Sequence, residues 1–252
     1  MKFLFMSMLI IKACGGKDEA KECKIIETQA AFYGITTKII APKTKEELKA
    51  MLLTDQPYDY IYVSTHGNDE GMCNEDNSLD VNWIEFGLML CENLTLSHRS
   101  ILMLSCCRGG LNQVAYDLFN SCPDISYVVG PRRSLIAEEM QICYCLLLFL
   151  MVQKDVDPVV ACEKIKAATD IRFFFSDRLE VEAEPAYLAR TEFNIPRFEK
   201  LWEQMDEQEA EKLKEAIGLE TAPVQEVAEN KNITTETLME SSNGKPVNKI
   251  ES

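Results

Sequence analysis

Short apolar runs rich in β-branched and aromatic residues alternate with helical segments along this chain. Two of these runs end in residues that can carry chemistry: His66 and Gly67 follow the run at 58–65, and Cys107 follows the run at 101–106. Such runs are typical of strands buried in a sheet. Because the carboxyl ends of parallel strands share one edge, an imidazole and a thiol that are distant in sequence can meet there. The sequence therefore predicts a nucleophile and its base at one sheet edge.

The residue types fit thiol catalysis. A thiol with an ordinary pKa is only slightly ionised at neutral pH, and a neighbouring imidazole can accept its proton to leave a nucleophilic thiolate. We therefore predict Cys107 as the nucleophile and His66 as the base. Glycine allows a close backbone approach, so the N–H groups of Gly67 and Cys107 are predicted to hold a developing oxyanion.

Three further residues are candidates for substrate binding. Arg132 and Arg133 follow the apolar run at 127–130, which places them at the same predicted edge as the catalytic pair. Guanidinium groups clamp carboxylates, so an arginine in the cleft would favour an acidic side chain before the cleaved bond. Exposure of both arginines to solvent is the alternative. Ser105 is the third candidate, whereas Cys106, one residue later on an alternating strand, is predicted to point into the core.

The order of the elements predicts the fold class. Strands and helices alternate, and a capping box opens a helix at Thr44 while Asp157 and Pro158 open another. This alternation favours an α/β protein, a three-layer α/β/α sandwich with a mostly parallel six-stranded sheet. The predicted strands are 2–11, 36–40, 58–65, 101–106, 125–130 and 171–175.

The chain is predicted to divide into three parts. Residues 1–176 form the sheet domain, and residues 177–217 form an acidic linker followed by a helix that starts at Pro196. From residue 218 to 252 the chain is polar, acidic and poor in aromatic residues, which predicts a disordered tail.

Composition narrows the function classes. The net charge of −15 argues against a nucleic-acid partner, because phosphate binders concentrate lysine and arginine. Several of the ten cysteines fall within apolar helical patterns, where a free cysteine behaves as a small apolar residue, and this predicts reduced thiols in the cytoplasm. Paired metal-ligand spacings are missing, so we expect no metal and no cofactor. The apolar stretches at 3–11 and 142–152 are too short to span a bilayer, and we interpret the first as a strand rather than a signal segment.

The residues around the two candidate catalytic groups carry a resemblance. The segment 105–109, Ser-Cys-Cys-Arg-Gly, together with the upstream His66-Gly67, resembles the caspase-type cysteine peptidases. The Gly110-Leu111 that follows, and the Val-Val-Gly that ends the strand at 127–130, are closer to the CHAT branch of that clan. The resemblance implies an endopeptidase with a Cys-His dyad that cleaves protein substrates under the control of a regulatory protein partner. Ser105 stands where caspases have glutamine, which leaves the specificity open.

Two other functions stay open at this point. A catalytically silent caspase-like scaffold is one, although intact His66 and Cys107 argue against it. A redox switch that uses the adjacent Cys106 and Cys107 is the other. The remaining histidine, His98, stands among polar residues before a strand and is predicted to be solvated.

Overall fold

The computed structural model describes residues 6–53, 56–93 and 96–205, together with 210, 211 and 214. In chain order the elements are β1 (Ser7–Lys12), α1 (Lys17–Phe32), β2 (Thr36–Ile40), α2 (Lys45–Leu52), β3 (Tyr58–Ser64), β4 (His66–Gly67), β5 (Gly71–Cys73), β6 (Asp80–Asn82), α3 (Trp83–Glu92), β7 (Leu96–Ser105), α4 (Asn112–Ser121), β8 (Ile125–Pro131), α5 (Ala137–Leu148), α6 (Pro158–Thr169), β9 (Phe173–Asp177), α7 (Arg178–Val181) and α8 (Pro185–Trp202).

The central sheet has six strands in the order β2-β1-β3-β7-β8-β9. All neighbouring pairs are parallel except β8 and β9, which are antiparallel. One apolar cluster joins the sheet to α2, α3 and α4, and a second cluster joins its other face to α1, α5 and α6. The predicted three-layer α/β/α sandwich with a mostly parallel six-stranded sheet is therefore confirmed.

The first predicted strand is confirmed at Ser7–Lys12, although residues 1–5 lie outside the described part of the chain. Residues 8–11 are at most 1% exposed, because β1 lies between β2 and β3 and is covered on both faces. A strand buried in this way consists of apolar residues without alternation. In the described residues, no helix has the length and hydropathy needed to cross a bilayer.

A small antiparallel sheet stands at the carboxyl end of β3. It has the order β4-β5-β6, and β4 consists of His66 and Gly67 themselves. The sequence analysis did not predict this small sheet, because strands of two or three residues show no periodicity. Trp83 anchors this hairpin, since its buried indole N–H donates to the Asn68 carbonyl over 3.0 Å.

The segment after β9 differs from the prediction. The helix predicted to start at Pro196 begins instead at Pro185, and it runs through Pro196 as an interior residue. Proline at a first turn is favourable, but an interior proline lacks one N–H donor, which is why the sequence suggested a start at Pro196. Tertiary contacts outweigh that cost. The fully buried Asp117 on α4 accepts two hydrogen bonds from Arg190 and one from Asn194, both on α8.

The segment predicted as a linker is thus helical and packed. Val181 of α7 is buried in the apolar cluster on the α2–α4 face of the sheet, and Tyr187 of α8 packs against the same cluster. The predicted tail at 218–252 lies outside the described residues, and so does the side chain of His98, whose backbone belongs to β7.

Candidate active site

Three neighbouring strands end level with one another at the carboxyl edge of the sheet. Ser64 of β3 is the register partner of Lys12 on β1 and of Ser105 on β7. The pairing continues past the strand ends, because Ala13 N–H donates to the Ser64 carbonyl over 2.8 Å and Thr65 N–H donates to the Ser105 carbonyl over 3.3 Å. The register of the sheet therefore fixes the relative positions of the residues that follow these three strand ends.

Cys14, His66 and Cys107 each follow one of these register partners by two residues. Since side chains alternate along extended chain, a common offset of two places the three residues on the same side of the sheet edge. They line one cavity of about 240 Å³, with His66 from the middle strand between the two cysteines. The sequence predicted the pair of His66 and Cys107 but missed Cys14, because the common offset follows from the register of β1, β3 and β7.

Cys107 begins a tight turn that leaves its side chain half-buried. Arg108, the next residue, has a φ of 61°, a left-handed conformation that is uncommon for residues other than glycine. Such strain clusters at functional sites, where the surrounding structure holds it in place. An ion pair of 3.5 Å between the partly exposed Arg108 and Asp69 links this turn to the turn between β4 and β5.

Gly67 brings the backbone of β4 close to this turn. A Cβ atom at Gly67 would lie 2.8 Å from Cys106 Sγ and 3.3 Å from the Cys107 carbonyl oxygen, so a larger residue does not fit. Asn68 N–H donates to the Gly71 carbonyl. Because hydrogen-bonded pairs alternate along an antiparallel ladder, Gly67 occupies a non-hydrogen-bonded position opposite Met72, and its N–H points away from β5.

The His66 ring contacts Cys14 rather than Cys107. Its Nε2 lies 3.3 Å from Cys14 Sγ, and the side chain is exposed. An exposed ring can rotate about its side-chain bonds, and catalytic hydrogen bonds are often formed only when substrate is bound. The arrangement thus gives one imidazole two neighbouring thiols.

Carboxylates surround the Cys14 thiol. The Glu19 carboxylate accepts hydrogen bonds from the N–H groups of Cys14 and Gly15, each over 2.7 Å. Glu75 N–H donates to the Cys14 carbonyl over 3.0 Å. Burial raises the pKa of the Cys14 thiol, and the charges of Glu19, Glu75 and Glu22 raise it further. The thiolate form of Cys14 is therefore disfavoured.

Glu22 lies beneath the cavity as a buried carboxyl group. Its Oε1 atom accepts hydrogen bonds from the hydroxyl groups of Tyr62 and Ser105, and burial raises the pKa of Glu22 above its ordinary value. Ser105, which the sequence offered as a substrate-binding residue, lines the cavity, but its hydroxyl group is already committed to Glu22. The pKa of Glu19 is also raised, again mainly by burial.

Arg132 and Arg133 point to other partners. Arg132 donates to the Gly110 carbonyl over 3.1 Å, and its guanidinium lies 3.6 Å from the centre of the Phe174 ring. Arg133 forms a 3.4 Å ion pair with Glu139. Neither arginine is among the residues that line the cavity beside Cys107.

Cys106 occupies the core, as predicted. It is 2% exposed, and burial raises the pKa of its thiol well above the ordinary value. A thiol that is buried and protonated is a poor participant in exchange chemistry. This environment argues against a redox pair formed by Cys106 and Cys107.

Comparison with known proteins identifies the fold. No family model and no curated protein matches the chain. Among solved structures, the chain is similar to iotapain, a secreted C11 cysteine protease from Bacteroides thetaiotaomicron, with 11% sequence identity and a TM-score of 0.53. The similarity covers 70% of this chain and 67% of that one. At this identity the similarity concerns the fold alone, which is the fold of a caspase-like cysteine protease.

Proposed function

We propose that the chain is a cysteine endopeptidase of the caspase-like clan, with Cys107 as nucleophile and His66 as general base. The observation that supports the proposal is the shared register of β3 and β7: Ser64 and Ser105 are partners, and His66 and Cys107, two residues after them, line one cavity. The finer resemblance to the CHAT branch, the cytoplasmic location and control by a protein partner belong to the same proposal. The cysteines support a reducing compartment, since all ten are free.

The local environments favour Cys107 over Cys14 as the nucleophile. Carboxylates beside Cys14 oppose formation of its thiolate, whereas Cys107 stands next to Arg108, and its backbone lies close to that of Gly67. A developing oxyanion needs positive electrostatic potential, which N–H donors supply and carboxylates remove. A substrate carbonyl placed beside Cys107 would meet the donors it needs.

The reaction follows from these positions. His66 turns from Cys14 to Cys107 and takes the thiol proton, and the thiolate attacks the scissile carbonyl carbon. The N–H groups of Gly67 and Cys107 hold the oxyanion, and His66 then gives its proton to the leaving amine. Water hydrolyses the acyl-enzyme with His66 as base and regenerates the thiol.

The cavity indicates the substrate. Asp18 and Glu19 line it beside His66 and Cys107, whereas Arg132 and Arg133 face elsewhere. The negative charge of this lining favours a lysine or arginine side chain before the cleaved bond. The acidic preference that the two arginines would have supported is not part of the proposal.

Proteome-wide cleavage profiling of the wild type and of Cys107→Ala tests the proposal. We expect cleavage after basic residues in the wild type, and a fall in kcat/KM of about 10⁴-fold or more in the variant. Cys145→Ala, which removes another half-buried thiol away from the cavity, serves as the control. Cleavage that survives Cys107→Ala would contradict the proposal, and a complete lack of cleavage in every chain, with candidate activating partners present, would favour a scaffold.

A further inference from the structure

Cys14, His66 and Glu75 bring three metal-binding atoms together at the mouth of the cavity. The thiol sulfur, a ring nitrogen and a carboxylate oxygen all lie within 4.8 Å of one another, and Cys14 Sγ is 3.3 Å from His66 Nε2. Neighbouring ligands of a tetrahedral zinc ion stand about 3.3–3.8 Å apart, as follows from Zn–S and Zn–N bonds of about 2.3 and 2.0 Å. A small movement of the exposed Glu75 side chain is enough to reach that geometry.

The backbone holds the three residues in place without help from a ligand. Glu19 fixes the turn at Cys14 by accepting from two consecutive N–H groups. Glu75 N–H is bonded to the Cys14 carbonyl, so the two loops move together. His66 is paired with Cys73 in the small sheet. A site whose ligands are positioned in advance loses less entropy when it binds.

The chemical types of the three ligand atoms indicate which metal ion the site would bind. A thiolate and an imidazole are ligands that zinc prefers, whereas calcium and magnesium take oxygen atoms. Thiolate and carboxylate together balance the charge of Zn²⁺, and Glu19 and Glu22 nearby add to the negative potential at Cys14. His66 and Glu75 are exposed, so water can supply the fourth ligand of a tetrahedron.

We propose that this chain binds one Zn²⁺ through Cys14 Sγ, a ring nitrogen of His66 and the Glu75 carboxylate, and that the ion inhibits the peptidase reaction. Binding forms three metal–ligand bonds and releases the thiol proton of Cys14 to solvent. Inhibition follows because a coordinated His66 ring cannot turn to Cys107 and take its proton. This second part of the inference rests on the proposed function, whereas zinc binding itself does not.

Zinc affinity of the full chain, measured by competition with a chromophoric chelator, tests the binding. The Cys107→Ala chain is expected to bind one zinc ion as tightly as the wild type. Adding Cys14→Ala or Glu75→Gln to it weakens zinc binding by about 100-fold or more, because losing a direct ligand costs at least as much as losing a residue that supports one. Cys145→Ala in the same background is the matched control and leaves the affinity unchanged.

The zinc titration decides zinc binding independently of the proposed inhibition. Unchanged zinc affinity in both Cys14→Ala and Glu75→Gln would overturn the proposed site. A loss of zinc affinity in Cys107→Ala alone would also overturn it, because that result would place the ion on the catalytic thiol. Glu75 is exposed, so Glu75→Gln gives a result even if Cys14→Ala fails to fold.

Peptide cleavage with and without zinc tests the inhibition. The wild type should lose activity at zinc concentrations that saturate the site, and Glu75→Gln should need about 100-fold more zinc for the same fractional loss. Equal zinc sensitivity of the two chains would refute the inhibitory role. If no chain cleaves peptides, the proposed function fails while the zinc titration still decides the site.

Discussion

The two cysteines that flank His66 share a residue type and a position in the sheet, yet their surroundings are opposite. Cys14 follows β1 and lies among the carboxylates of Glu19, Glu75 and Glu22, which together with burial raise the pKa of its thiol. Cys107 follows β7, where the next residue is an arginine in a left-handed turn and the Gly67 backbone comes close.

The difference shows that register brings a thiol to a base, while local charge decides what the thiol can do there. The carboxylates that make Cys14 a poor nucleophile are the same groups that make it a good ligand for a cation. The imidazole that Cys107 needs as a base is at the same time available to that cation. The two proposals therefore assign catalysis to one side of His66 and control by a cation to the other.

The largest expected effect comes from Gly67→Ala, which adds a methyl group on the Cys107 side of His66. Gly16→Ala adds one on the Cys14 side and serves as the comparison. Gly67→Ala places a Cβ atom 2.8 Å from Cys106 Sγ and beside the Cys107 carbonyl, so it displaces a proposed oxyanion donor. We expect kcat/KM to fall by about 100-fold or more. Gly16→Ala meets only the flexible end of Glu75 at 2.9 Å and should change kcat/KM by less than about threefold.

Peptide cleavage kinetics measure both glycine variants, and thermal unfolding shows whether either one loses its fold. If both variants fold and lose the same activity, the Cys107 side of His66 is no more important for cleavage than the Cys14 side, which contradicts the proposal.

A smaller effect is expected from the buried Glu22 under the cavity. Glu22→Leu removes the acceptor of the Tyr62 and Ser105 hydroxyl groups, and the free energy of unfolding should fall by about 2–4 kcal/mol. Glu22→Gln keeps an oxygen acceptor and should lose less. Urea denaturation of the three chains at one pH checks this order, and a Leu variant as stable as the Gln variant would contradict it.

The difference in stability between the wild type and Glu22→Gln is expected to change with pH in one direction. Because the pKa of Glu22 is raised in the folded chain, its contribution to stability is complete below the ordinary value of 4.5 and is lost as pH rises through the folded pKa. The stability of the wild type relative to Glu22→Gln should therefore decrease as pH rises above 4.5. A relative stability that increases with pH would show that Glu22 is held as a carboxylate.

The smallest effect concerns the reactivity of Cys14. Glu75→Gln removes one of the charges that raise the pKa of this thiol, so more thiolate is present at pH 8. In a Cys107→Ala background, iodoacetamide should alkylate Cys14 faster in the Gln variant, as followed by mass spectrometry. Alkylation of Cys145 provides the internal control. An unchanged rate at Cys14 would mean that the charge of Glu75 does not contribute to its raised pKa.

Much of the fold could be predicted because it depends on local patterns. The apolar runs identified the strands of the central sheet, and the alternation of strand and helix predicted its three layers. The start of α8 could not be predicted in this way, because the buried ion pair between Asp117 and Arg190 joins residues far apart in sequence. Helix propensity near Pro196 pointed to a different boundary.

The candidate site could be predicted only in part, for a similar reason. His66 is followed by Gly67 and Cys107 by Arg108 and Gly109, each at a strand end, a pattern that is visible in the sequence. Cys14 and Glu75 stand in loops whose approach depends on the hydrogen bond between Glu75 N–H and the Cys14 carbonyl. The partners of Arg132 and Arg133 likewise follow from the packing of α4, α5 and β9, which no local pattern encodes.

The central claim is that Cys107, and not Cys14, is the thiol activated by His66. A peptide that carries arginine before an electrophilic ketone, incubated with the full chain and mapped by mass spectrometry, tests this most directly. We expect one label per chain on Cys107, and we expect His66→Ala to lose that label. A label on Cys14 that depends on His66 would contradict the account and would assign the nucleophile to the other side of the imidazole.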